Sequence, residues 1–108
     1  MTAISGKAAV VTGGGSGIGA GLAKELARQG ASVAVTDILL ANAQKVADQI
    51  NDGGGKAVAI QCDVCDRASL ARMRDEATAA LGPIQLVFAN AGATSFDPLT
   101  DMSDEDVD

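Results

Sequence analysis

Four short apolar runs, Lys7 to Thr12, Ala31 to Thr36, Ala57 to Cys62 and Gln85 to Ala89, alternate with three stretches whose apolar residues recur at helical spacing. Strands that alternate with helical segments are the sequence form of a parallel sheet with helices on its faces, the α/β class. The runs read as apolar on both sides, as strands covered on both faces do. The first helical stretch carries Ile18, Leu22 and Leu26, with Ala23 and Ala27 widening the stripe and Gly30 at the position of a C-terminal glycine. Leu39, Ala43, Val46 and Ile50 form the second, which Gly53, Gly54 and Gly55 cut off. In the third, Asp66 caps a helix bearing Leu70, Met73, Ala77 and Leu81, closed by Gly82 and Pro83. Right-handed crossovers then give the strand order 3-2-1-4, with the first two helices on one face and the third alone on the other. Part of that second face is expected to be open and strand four to lie at an edge, a template for pairing with another chain. Self-association or marginal folding of the isolated chain follows as an expectation.

The length of 108 residues allows one domain or part of one. With 47% hydrophobic and 20% charged residues the composition is that of an ordinary globular chain. No window approaches the roughly 18 apolar residues of a membrane span, and Met1 to Gly6 lacks a basic start followed by an apolar run. A soluble cytoplasmic protein without membrane contact is expected. His, Tyr and Trp are absent, which removes many of the usual proton shuttles, metal ligands and stacking platforms. The formal charge of −6 repels phosphate backbones and anionic lipid, so nucleic acid is not an expected partner. Two cysteines are too few for a disulfide framework and fit a reducing compartment.

Five glycines fall within Gly13 to Gly19, directly after a strand and directly before a helix. Glycines let a turn adopt positive φ and bring backbone N–H groups close to a phosphate, and the helix start adds unpaired donors and partial positive charge. The pattern reads as a pyrophosphate cradle. It is not the loop of nucleoside triphosphatases, because Ala20 follows Gly19 where that loop has Lys. Gly15, Gly17 and Ala20 satisfy the relaxed dinucleotide fingerprint, and Asp37 stands at the end of strand two, roughly 20 residues on, where a carboxylate accepts from ribose hydroxyls. Such a carboxylate repels a 2′-phosphate, and Gly14, Gly15, Ser16 and Ile38 supply no compensating cation. NAD is therefore favoured over NADP. A glycine turn that only packs the helix, with Asp37 as a solvated turn residue, is the lesser alternative.

Thr12, Gly13, Gly17 and Gly19 match the Thr-Gly-x-x-x-Gly-x-Gly loop of the short-chain dehydrogenase/reductases, and the chain resembles that family again at Asp63-Val64 and at Asn90-Ala91-Gly92. Ala89, where many members have a first Asn, departs only at a sheet-stabilising contact. The resemblance implies a Rossmann-type doubly wound parallel sheet, incomplete at four strands, with residues 1–108 as the N-terminal portion of a single NAD(P)-binding domain. It implies an NAD-dependent oxidoreductase that moves hydride between the nicotinamide and an alcohol or carbonyl substrate. By the same resemblance Gly13, Gly17 and Gly19 with Ser16 and Ile18 hold the pyrophosphate, and Asp37 the ribose. Asp63 and Val64 meet the adenine, and Asn90, Ala91 and Gly92 line the cofactor's onward path. The family's catalytic Ser and Tyr-x-x-x-Lys come after that last segment, beyond this sequence, which has no Tyr. No catalytic residue is assigned, and the chain by itself is expected to be inactive. A non-catalytic NAD-binding module, or an inert truncated fragment, is the competing reading. Family substrates are chosen by later loops, so the substrate is not encoded here.

Other features carry less. Cys62 and Cys65 form a C-x-x-C at a strand-to-helix junction, where a helix start lowers a thiol pKa, but Asp63 already explains that loop. Zinc needs four ligands, and neither His nor a third Cys is available. Asp37, Asp63 and Asp66 at strand ends suggest a cation or phospho-acceptor cluster, yet each has a simpler role as ribose, adenine or cap residue. Asp97 to Asp108 holds six acidic residues, read as a helix start capped by Ser103 in preference to an interaction tail. Met73 and Met102 are core and loop fillers.

Overall fold

The computed structural model describes residues 4–89. Seven elements follow in order: β1 (Ala8–Thr12), α1 (Gly17–Arg28), β2 (Ser32–Asp37), α2 (Leu40–Asp52), β3 (Lys56–Gln61), α3 (Arg67–Leu81) and β4 (Leu86–Ala89). All strand pairs are parallel, and the sheet order is β3-β2-β1-β4, as the right-handed crossovers require. Val11 stands between Val35 on β2 and Phe88 on β4, so β1 is the central pairing strand.

Side chains alternate across a strand, and here each face finds its own partner. Ala9, Val11, Val33, Val35 and Ala57 pack with Ala23 and Leu26 of α1 and with Ala43, Val46, Ala47 and Ile50 of α2. Val10, Ala34 and Ile60 point the other way, onto Met73 and Ala77 of α3. Burial on both faces is why β1 and β2 read as unbroken apolar runs, whereas β4 is apolar but half-exposed. The helix ends are closed by backbone: Ala31 N–H reaches Leu26 C=O and Gly30 N–H reaches Ala27 C=O, and Gly55 to Ile50 with Gly54 to Asn51 repeat the arrangement after α2.

Two apolar positions assigned to helix stripes are instead on the surface. Ile18 is 81% exposed, and the face of α1 that meets the sheet is Gly19, Ala23 and Leu26. Gly19 has no side chain to hold the helix off, so the contact stripe is rotated by one residue. Leu39, 59% exposed, precedes α2 at its cap position instead of packing in its core.

Among the described residues α3 is the only helix packed on this face of the sheet. A groove of about 310 Å³ is lined by Val10, Leu70, Met73, Arg74, Ile84 and Val87, and Val87 is 67% exposed. Among the described residues β4 pairs only with β1. No helix of the described residues is long and apolar enough to cross a membrane. The expected helix start at Ser103 lies outside the described residues, as does Met102.

Candidate functional site

The crossover from β1 to β2 and the return to β4 leave the sheet in opposite directions, which opens a crevice at the carboxyl ends of the strands. A cleft of about 450 Å³ occupies it, lined from the β1–α1 loop by Gly13, Ser16, Gly17 and Ile18. Asp37 and Ile38 close it from β2, and Cys62, Asp63, Val64 and Cys65 from β3. Three loops far apart in sequence therefore share one space.

The glycine loop is built from backbone. Gly17 has φ +55, which side chains rarely adopt. Gly15 is held by approach: an added Cβ would sit 2.7 Å from Asn42 Cβ, 2.8 Å from Asp37 Oδ2 and 2.9 Å from the Ala43 nitrogen. Gly14 N–H donates to Thr36 C=O at 2.8 Å, and Thr36 Oγ1 donates to Val11 C=O at 3.1 Å, locking the loop to β2. Ser16 caps α1 in extended conformation, but its side chain makes no cap hydrogen bond, and the first turn holds no acidic residue. First-turn N–H groups without a side-chain acceptor, in a partial positive field, suit an anion.

Asp37 is the hinge pin between two loops. Its Oδ2 accepts from Gly15 N–H and its Oδ1 from Leu39 N–H, both at 3.0 Å. A carboxylate oxygen has two acceptor sites, so each keeps one for a hydroxyl in the cleft. Among the described residues the cleft lining contains Asp37 and Asp63 and no Lys or Arg.

Across the cleft, the β3–α3 loop is held by side chains. Asp63 Oδ1 accepts from Cys65 N–H at 2.9 Å, and Asp63 N–H donates to Ser69 Oγ at 2.9 Å. Asp66 caps α3 as the sequence implies, accepting from Ala68 and Ser69 N–H. Cys62 is buried and Cys65 exposed, and both are free thiols. Burial pushes the Cys62 thiol above its ordinary value, only partly offset by its hydrogen bond to Ser69. That is opposite to what a reactive thiolate needs. Among the described residues no group of three His, Cys, Asp or Glu could hold a metal ion.

Of the residues singled out from sequence, Gly13, Ser16, Gly17, Ile18, Asp37, Asp63 and Val64 come together on this cleft. Gly19 is buried in α1 behind it and serves the helix–sheet contact. Asn90, Ala91 and Gly92 lie outside the described residues. Ile38, Cys62 and Cys65 line the cleft without having been assigned to the cofactor. Cys62 and Cys65 stand out in the sequence only as a C-x-x-C, and Ile38 only by its place after Asp37.

A family model for short chain dehydrogenases matches residues 7–108. The short chain dehydrogenase claC of Passalora fulva is 42% identical over 106 residues, covering 97% of this chain and 40% of that protein. Among solved structures, a hydroxysteroid dehydrogenase from Escherichia coli superposes with a TM-score of 0.82 at 38% identity, over 94% of this chain and 45% of that one. A protein assigned as a D-mannonate oxidoreductase from Haemophilus influenza, with bound NAD, gives a TM-score of 0.74 at 31% identity over 77% of this chain and 30% of that one. The chain spans about 40% of the length of the curated relatives it matches.

Proposed function

The chain belongs to the short chain dehydrogenase family of oxidoreductases, and on that premise we propose that its cleft holds the adenosine and pyrophosphate of NAD. Residues 1–108 are, on this reading, the N-terminal portion of a single dinucleotide-binding domain, and the whole protein moves hydride to or from an alcohol or carbonyl substrate. The observation that carries the reading is Asp37, a carboxylate fixed by Gly15 and Leu39 N–H on a cleft whose lining, among the described residues, has no cation.

The residues present fit the group. Gly13 and Gly17 let the loop pass close to the pyrophosphate, and the uncapped first turn of α1 donates to its oxygens. Asp37 accepts from the ribose hydroxyls with the lone pairs its backbone partners leave free, and it sets an anion where a 2′-phosphate would lie. Ile38 and Val64 offer apolar faces to the adenine, and Asp63 an acceptor for its amino group. By the family resemblance, Asn90, Ala91 and Gly92 would line the rest of the cofactor's path. Bound NAD supplies the hydride acceptor for substrate oxidation. With no Tyr or His, these 108 residues have no phenol or imidazole to exchange the substrate proton, and they bind without turnover.

Titration with NADH and NADPH tests this. Asp37→Ala is expected to weaken NADH about tenfold and to narrow its advantage over NADPH, since one charge-assisted contact and one anion are lost. Unchanged affinity for both removes Asp37 from the site. The same reading leaves β4 as an apolar edge, and dimers or larger species are expected in sedimentation. A monodisperse monomer with a cooperative melt contradicts that part.

A further inference from the structure

Behind the cleft, on its α3 side, a chain of polar contacts joins the two loops that face each other across it. Gln61, the last residue of β3, donates from Nε2 to Ile38 C=O at 3.3 Å. Arg72 of α3 donates from Nη2 to the Gln61 carbonyl at 3.2 Å and to Gln61 Oε1 at 3.0 Å. The same Nη2 lies 3.5 Å from Ser69 Oγ. Ser69 is buried at 7% exposure, and its Oγ takes the Asp63 N–H at 2.9 Å. Ile38, Gln61, Arg72, Ser69 and Asp63 are thus linked in series, and the first and last line the cleft.

Resting on the NAD reading above, we propose that Gln61, Arg72 and Ser69 are positioning residues that hold Ile38 and Asp63 in place beyond the last β2–β3 backbone bond, from Cys62 N–H to Asp37 C=O, and so make the cleft select adenine. None of the three lines the cleft. Gln61 orients the backbone that presents Ile38, and Ser69 fixes the backbone from which the Asp63 carboxylate projects. Ser69 is itself a residue of α3, and Arg72 ties Gln61 to the same helix. Both contacts to Gln61 come from Nη2, whose two N–H groups are held in the guanidinium plane, a fixed geometry that a freely rotating ammonium lacks. The pair with Glu76 at 3.5 Å is half exposed on both sides and steadies Arg72 only weakly. Ser69 matters more, because without its Oγ the Asp63 N–H loses a buried acceptor. A carboxylate held at the right distance accepts from the amino group of adenine and repels the carbonyl oxygen that hypoxanthine carries there. Placement of the two loops becomes base selectivity.

Calorimetric titration of the 108-residue chain with NADH and with reduced nicotinamide hypoxanthine dinucleotide tests the proposal. The wild-type chain is expected to favour the adenine form about tenfold, the worth of one charge-assisted contact. Ser69→Ala should weaken NADH about fivefold and reduce that preference to about twofold, and Ser69→Thr should restore both, since it keeps the hydroxyl acceptor. Arg72→Met, at a half-exposed side chain, should act in the same direction and to a smaller extent, and it serves if Ser69→Ala does not fold. Unchanged preference in Ser69→Ala or Arg72→Met, including an equal loss for both dinucleotides, overturns the proposal while leaving the NAD reading intact. A wild-type chain that binds neither dinucleotide overturns the NAD reading and this proposal together.

Discussion

The two walls of the cleft are made differently. On the β1–α1 side the shape comes from what is missing: Gly15 leaves room for Asp37, Asn42 and Ala43, Gly17 takes positive φ, and Ser16 leaves its helix start without a side-chain cap. On the β3–α3 side it comes from what is present: Asp66 caps α3 with its carboxylate, Ser69 holds Asp63, and Arg72 ties Gln61 to the helix. The first wall gives Gly14 and Gly15 N–H to the protein but leaves its helix start without a side-chain acceptor, whereas the second caps its helix start with Asp66. On the reading proposed above an anion sits at the first helix start and not at the second, where Asp66 already supplies a carboxylate.

The sharpest break of this contrast is Gly15→Ala. The new Cβ falls within 3 Å of Asn42 Cβ, Asp37 Oδ2 and the Ala43 nitrogen, and the last of these is backbone. Overpacking of this kind costs about 1–3 kcal/mol, and displacing Asp37 should weaken NADH by at least the roughly tenfold expected of Asp37→Ala. Thermal unfolding and titration of the same variant read both effects, and a variant with wild-type melting and affinity would show that the close approach is not needed. A smaller effect separates the two helix starts. Asp66→Ala removes a cap that takes two N–H groups and should cost about 1 kcal/mol of stability. Ser16→Ala removes no cap bond, and its melt should match that of the parent. Equal losses in denaturant unfolding would mean that the two starts are built alike after all.

The same contrast explains what could be read from the amino acids. Positions that need missing side chains leave a mark, so the glycine loop, Asp37 at the strand end and the α/β order were legible, with strand and helix ends displaced by a residue or so. Ile18 was misplaced in the core stripe because an apolar side chain facing a cleft has the same periodicity as one facing a sheet. The β3–α3 wall was only half legible. Asp63, Val64 and the Asp66 cap could be named, but Ser69 and Arg72 are ordinary polar residues at helical positions. Their meaning arises only when α3 lies against β3 and brings Arg72 to Gln61, eleven positions away in sequence.

The most direct measurement is a nuclear magnetic resonance titration of the isotopically labelled 108-residue chain with NADH, read at the backbone amides. Joint displacement of the amides of Gly13 to Ile18, Asp37 to Ile38 and Asp63 to Cys65, with one shared affinity, is the predicted result. Displacements centred elsewhere, such as on the opposite groove formed by Lys24, Arg28 and Gly53 to Gly55, or confined to one of the three loops, would contradict a single dinucleotide site at the ends of β1, β2 and β3.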